Sequence, residues 1–353
     1  MLVGECEQGV EVFLGWTVLD PEIAKDFERL RAFLPGVFQV VSRDLADHRW
    51  IVAYSQDTRP PVYYVYDRAA GELQFLFGTK PALEKYTLAE MRPVEIKSRD
   101  GLVLHCYLSL PPGVEPASLP LVLNVHGGPW GRDSWGLNPE AQWLANRGYA
   151  CLQVNFRGSA GFGKRFLHAG DKEWGGKMHD DLIDAVQWAI GEGIADPKRV
   201  AIYGGSYGGY AALVGATFTP EVFACAVDIV GPCNLQTFLN SIPPYWEPVR
   251  KLFSVRVGDP ETEQDFLDSR SPLFKADRIQ CPMLIAQGAN DPRVKQAESE
   301  QIVAAMRANG KPVEYMLFED EGHGFARPEN RLKFYAAADR FLARYLGGRT
   351  VGE

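Results

Sequence analysis

The chain has 353 residues, enough for one large α/β domain and something smaller beside it. Apolar residues make up 46% and charged residues 23%, the balance of a folded globular protein and not of a disordered or collagen-like one. A formal net charge of -8, with no cluster of Lys and Arg, argues against a nucleic-acid surface.

The N-terminal stretch MLVGECEQGVEVFLGW carries acids where a secretory leader needs a basic start, and no apolar run approaches the roughly 18 residues that span a bilayer. A cytoplasmic, reducing location without a membrane partner is expected. The six cysteines (Cys6, Cys106, Cys151, Cys225, Cys233, Cys281) show no CxxC spacing, and three lie in or beside apolar strand-like runs. That pattern predicts buried free thiols rather than disulfides or metal ligands.

Residues 1 to about 85 read as an antiparallel meander, with strands over 50–54, 62–66 and 73–77 separated by the turn signals SQDTRPP and DRAAGE. A linker follows, then a hairpin turning at Arg99, Asp100 and Gly101, which opens a second domain over 86–353. From Leu119 onward, short apolar runs alternate with amphipathic segments. PLVLNVHGG, YACLQVNFRG, RVAIYGGS, FACAVDIVG, PMLIAQG and VEYMLFED have the continuous apolar character of strands buried on both faces. Helices are predicted over 138–147, 178–190, 207–218, 296–309 and 331–345. Such βα alternation predicts a mostly parallel sheet covered by helices. The stretch 232–275, with IPPYWEPVRKLF inside it, is too long for a plain loop and is expected to form an inserted helical flap.

Two patterns suggest chemistry but have simpler explanations. GFGKRF at 161–166 lacks the third glycine spacing of a dinucleotide loop. His179, Asp180, Asp181 and Asp184 stand at helical spacing and read as a solvated face rather than a metal cluster. No cofactor and no metal are expected.

The stronger signal is RVAIYGGSYGGYAALVG, which sets G-x-S-x-G at Gly204, Ser206 and Gly208 between a predicted strand and a predicted helix. A nucleophile elbow requires that context, because its tight turn lifts the serine hydroxyl to a helix N-terminus. An unassisted serine is a poor nucleophile and needs a base. In the α/β-hydrolase order the acid and then the histidine follow the serine, and among six histidines only His323 lies beyond Ser206. Asp291 directly follows a predicted strand and is the expected orienting acid. Asp228 also sits at a strand end, one strand too early, and Asp320 is too close to His323 in sequence. The tetrahedral intermediate needs donors, expected from the Tyr207 N–H and from the glycines of HGGP, Gly127 and Gly128. Tyr245 and Trp246, in the insertion, are candidates for the acyl or side-chain pocket, or for plain packing.

In this order, HGGPW, NFRGSAGFG, GGSYGGY, GANDPRV and DEGHGF resemble the prolyl oligopeptidase family of serine peptidases, nearest its acylaminoacyl-peptidase-like branch, over about residues 90–346. The resemblance implies an α/β-hydrolase acting on short peptides or acyl-peptides through Ser206, Asp291 and His323. It also implies that Arg293 hydrogen-bonds a substrate carbonyl and that Val294 borders the pocket. Where prolyl oligopeptidase and the dipeptidyl peptidases place a tyrosine in the oxyanion hole this chain has His126, so the second donor is expected to be backbone, at Gly128. The N-terminal residues resemble only the end of the family's β-propeller. Free strand edges there predict a homo-oligomer formed through residues 1–85.

Three functions fit these residues. The leading one is a peptidase of oligopeptide or acyl-peptide type. The second is a carboxylesterase with the same machinery, since ester cleavage demands less protonation of the leaving group. The third is an inactive α/β-hydrolase used as a binding module, which an intact serine, acid and histidine disfavour.

Overall fold

The structure, a computed structural model, describes residues 2–5, 14–242 and 247–350. The chain forms two compact units, one of residues 1–94, 107–114 and 134–146, the other of 95–106, 115–133 and 147–353.

In the first unit β1 (Leu2–Glu5) pairs antiparallel with β2 (Leu14–Thr17). A helix, α1 (Ala24–Phe33), precedes four strands, β3 (Val37–Arg43), β4 (Arg49–Ser55), β5 (Val62–Asp67) and β6 (Glu72–Gly78), which make one antiparallel sheet in sequence order. The expected meander is present, with α1 and β3 added to it. Phe27 and Leu30 of α1 pack on Phe38, Trp50, Val52, Tyr54 and Tyr66 to form its core. The two buried phenols are satisfied: Tyr54 O–H donates to Leu30 O and Tyr66 O–H to Asp26 Oδ1, both at 2.8 Å. The edge strand β6 leaves Phe75, Leu76 and Phe77 exposed, and Phe77 stacks on Tyr63 at 4.7 Å.

The large sheet is built from β7 (Met91–Lys97), β8 (Val103–Ser109), β9 (Leu119–Val125), β10 (Ala150–Asn155), β11 (Ala195–Gly205), β12 (Cys225–Ile229), β13 (Met283–Gly288) and β14 (Val313–Phe318). Its order is β14-β13-β12-β11-β9-β10-β8-β7, and the pairs from β10 through β9, β11, β12 and β13 to β14 are parallel. Every residue of β9, β10 and β13 is buried, which is why these strands read as unbroken apolar runs. The remaining helices are α2 (Pro139–Arg147), α3 (Gly163–His168), α4 (Lys177–Gly191), α5 (Tyr207–Phe218), α6 (Leu235–Asn240), α7 (Glu247–Arg256), α8 (Gln264–Arg270), α9 (Gln296–Ala308) and α10 (Pro328–Leu346). The fold is an α/β-hydrolase. α6, α7 and α8 lie within the stretch 232–275, and Tyr245 and Trp246 lie outside the described residues.

One surface expectation is corrected. On α4, Asp180 and Asp184 do meet Arg99 at the surface, but His179 and Asp181 are buried. Asp181 escapes the cost of an unpaired buried charge because Arg157, from the loop after β10, gives it hydrogen bonds of 2.9, 2.8 and 2.7 Å. Asp100 holds the other edge of the same guanidinium at 2.8 and 2.9 Å. Cys106, Cys151, Cys225, Cys233 and Cys281 are buried free thiols, and Cys6 lies outside the described residues. No helix of the described residues is long and apolar enough to cross a membrane.

Candidate active site

β11 ends at Gly205 and α5 begins at Tyr207, so Ser206 alone makes the turn, at φ 59° and ψ -117°. The flanking glycines are required by close approach. A methyl group on Gly208 would lie 2.1 Å from Val125 O, and one on Gly204 would lie 2.7 Å from the same oxygen. Ser206 is tied down by its own backbone: its N–H donates to Ile229 O at 2.8 Å and its carbonyl accepts from Tyr210 N–H at 3.0 Å.

His323 sits in the loop after β14, between Gly322 and Gly324, with Gly324 at φ 105°. Its Nε2 is 3.0 Å from Ser206 Oγ and its Nδ1 is 2.7 Å from Asp291 Oδ2. The other Asp291 oxygen accepts the N–H groups of Arg293 and Val294 at 2.8 and 2.9 Å, so the buried carboxylate is fixed in orientation. The fold thus brings Ser206, His323 and Asp291 into one hydrogen-bonded line. Arg293 is exposed and Val294 buried.

Asp228 is not in that line. It is fully buried, its Oδ1 accepts Gly231 N–H at 2.9 Å and its Oδ2 has no hydrogen-bond partner. It stands behind the elbow, where a methyl on Gly209 or Gly231 would come within 2.2 or 2.4 Å of Oδ1. Burial pushes its carboxyl up to about 8, against the opposing pull of the Gly231 N–H.

Tyr207 is the first residue of α5, so its N–H has no acceptor within the helix and lies at the positive end of the helix dipole. Across from it runs the loop after β9. A methyl on Gly127 would lie 3.4 Å from Ser206 Cβ and 3.1 Å from Gly205 O, so only a glycine lets this strand pass over the elbow. Gly128 adopts φ 128°, and a methyl there would meet Trp130 N and Gly131 N at 2.7 Å. His126 braces the loop. It stacks on Phe156 at 4.4 Å, with Nδ1 2.8 Å from Gly127 O and Nε2 3.0 Å from Ser159 Oγ. Burial pushes its imidazole down to about 4, so the ring is neutral, and Nδ1 donates its one N–H to Gly127 O, while Ser159 Oγ donates to Phe156 O at 2.7 Å.

Several residues around the site escape a reading of the sequence. Glu321 is buried beside His323 and accepts the N–H groups of Ala326 and Arg327, each at 2.9 Å, together with Asn330 Nδ2 at 2.9 Å. It holds the far end of the histidine loop, and no local pattern marks it because its partners are five to nine residues away. An aromatic wall flanks Tyr207: Trp174 meets it edge-on at 4.7 Å and also faces Tyr210 and Phe238 at 5.1 and 6.3 Å. Burial drives the Tyr207 phenol well above its ordinary range.

The model of the prolyl oligopeptidase family matches residues 135–349. The chain is 58% identical over 343 residues to dipeptidyl aminopeptidase BIII of Pseudoxanthomonas mexicana, covering 95% of this chain and 50% of that protein. It is 46% identical over 340 residues to dipeptidyl peptidase family member 6 of Caenorhabditis elegans, covering 89% of this chain and 46% of that one. Among solved structures, a puromycin-hydrolyzing peptidase of Mycobacterium tuberculosis superposes with a TM-score of 0.79 at 31% identity, covering 86% of this chain and 47% of that one. An acylaminoacyl peptidase in complex with Z-Gly-Gly-Phe-chloromethyl ketone gives 0.78 at 27% identity, covering 90% and 51%. The chain spans about half the length of the curated relatives it matches.

Proposed function

The chain belongs to the prolyl oligopeptidase family, and from that membership we propose that it is a serine peptidase cleaving short peptides or acyl-peptides through an acyl-enzyme on Ser206. The observation that carries this reading is the unbroken hydrogen-bonded line from Ser206 Oγ through His323 to the buried Asp291. His323 takes the hydroxyl proton as Oγ attacks the scissile carbonyl, and the imidazolium that forms is stabilised by Asp291. The same proton is then delivered to the leaving amine. Water, deprotonated by His323, attacks the ester carbonyl and releases the acyl product. The Tyr207 N–H and the backbone of Gly127 and Gly128 receive the oxyanion in both steps.

On the acyl side we assign Arg293 to a substrate carbonyl and Val294 to the border of the pocket. Residues 1–85 are taken as a blade-like segment and 86–353 as the hydrolase body. The names of the relatives point to dipeptidyl and acylaminoacyl substrates, so both classes are tested first.

The test is covalent labelling by a fluorophosphonate, followed by rates on dipeptidyl and acylaminoacyl anilides and on p-nitrophenyl acyl esters. Labelling that Ser206→Ala abolishes, with turnover of anilides, supports the peptidase. Labelling with turnover of esters alone would replace it with a carboxylesterase, and a chain that is never labelled would be a binding module.

A further inference from the structure

The inserted helix α7 is fastened to a turn that the proposed chemistry does not use. Lys172 adopts φ 58°, a left-handed conformation uncommon outside glycine, and its N–H donates to Arg256 O at 2.6 Å. The Lys172 ammonium pairs with Glu263 at 2.6 and 2.8 Å, and that carboxylate also accepts Asp259 N–H at 3.0 Å. Beside it, Arg256 Nε lies 3.7 Å from Asp171 Oδ1, while the other Asp171 oxygen is 2.7 Å from His168 Nδ1.

The last turn of α7 then reaches the elbow from two sides. The Arg256 guanidinium lies over the Trp130 ring at 5.2 Å, and Phe253, one turn earlier on the same helix face, meets Trp130 edge-on at 5.0 Å. Phe253 also faces Trp174 at 6.3 Å, and Trp174 is the ring against Tyr207. Gly127 and Gly128 have no side chains with which to hold themselves. Their loop is gripped at its entry by His126 and at its exit by Trp130, which is joined to Gly128 through a single intervening residue. A shift of Trp130 therefore moves Gly128.

We propose that Arg256, steadied by Asp171, is a positioning residue for the oxyanion hole: with Phe253 it clamps Trp130 and thereby sets the Gly127 and Gly128 donors against Ser206. The inference rests on the peptidase reading above, in which those donors receive the oxyanion. Oxyanion donors act within a few tenths of an ångström, so loss of the clamp affects the tetrahedral state more than the bound substrate.

The experiment compares Arg256→Ala, Arg256→Lys and Asp171→Asn with the parent chain. Readouts are kcat and KM on an anilide and the inhibition constant of acetyl-phenylalaninal, an aldehyde that adds to a serine hydroxyl to form a tetrahedral adduct. Arg256→Ala is expected to lower kcat about 10-fold and to weaken the aldehyde by the same factor, with KM within about twofold. Arg256→Lys, which keeps the charge without the planar stack, falls between. Asp171→Asn follows in the same direction by a smaller factor. If Arg256→Ala does not fold, Phe253→Leu, which removes the edge contact and keeps most of the volume, carries the same readouts. Unchanged kcat and aldehyde affinity with only a lowered Tm, or a rise confined to KM, would overturn the clamp. Such an outcome in a chain that fluorophosphonate still labels leaves the peptidase reading standing, whereas failure of the parent chain to label overturns both.

Discussion

Asp228 and Asp291 belong to neighbouring parallel strands, Asp228 inside β12 and Asp291 three residues beyond the end of β13, and only Asp291 reaches a histidine. The difference is one of reach. The carboxylate on the loop turns toward His323, whereas the one inside the strand is enclosed behind the elbow glycines. Asp291→Asn is therefore expected to lower kcat by about 10^4, because the amide disturbs the imidazole tautomer, and Asp228→Asn by less than about tenfold. Steady-state rates on one anilide decide it; a crippled Asp228→Asn beside a mild Asp291→Asn would move the acid to Asp228.

Two buried groups make stability depend on pH with opposite signs. Asp228 is raised from 3.8 to about 8, so the folded chain keeps a proton that the unfolded chain releases, and stability falls as pH rises between those values. His179 is lowered by burial from 6.5 to about 4, so the unfolded chain takes up a proton that the folded chain refuses, and stability falls as pH drops across that window. Urea unfolding of the variants relative to the parent should show Asp228→Asn gaining with rising pH and His179→Gln gaining with falling pH. A difference that is flat with pH, for either variant, would mean that the group titrates alike in both states.

Arg293→Ala tests the acyl-side assignment. A charge-assisted hydrogen bond to a peptide carbonyl contributes about 1.5–3 kcal/mol, so kcat/KM on peptidyl anilides should fall by about 10- to 150-fold. Short acyl esters, which lack that carbonyl, should lose much less. Equal losses on both would place Arg293 in support of Asp291, whose Oδ1 its N–H already holds.

Self-association is expected through the edge of the four-stranded sheet. Among the described residues β6 is an edge of that sheet and exposes Phe75, Leu76 and Phe77, a combination that templates further strand pairing. Light scattering at micromolar concentration should report a species larger than the monomer, and Phe75→Ser with Phe77→Ser should reduce it. A strictly monomeric parent chain would end this expectation without touching the site.

Much of the hydrolase fold is legible in the sequence because its central strands are buried on both faces and leave unbroken apolar runs, as in β9 and β13. α1 is not, since only Asp26, Phe27 and Leu30 of its ten residues are buried and one of those is an acid. α3 spans only six residues, too few for a helical stripe. In the site, Ser206, Asp291 and His323 can be singled out because each lies in the short segment that follows a strand and their chain order is fixed. Residues that act through distant partners leave no such trace: Asp181 is buried because Arg157, 24 positions away, comes to meet it, and Trp130 meets Phe253 across more than a hundred residues.

Ser206 occupies backbone space that glycine fills with less strain, a difference of about 1–3 kcal/mol at such positions. A library screened only for heat resistance should therefore enrich Ser206→Gly, and each such survivor would be sturdier and inert. Durability and catalysis pull this one position in opposite directions.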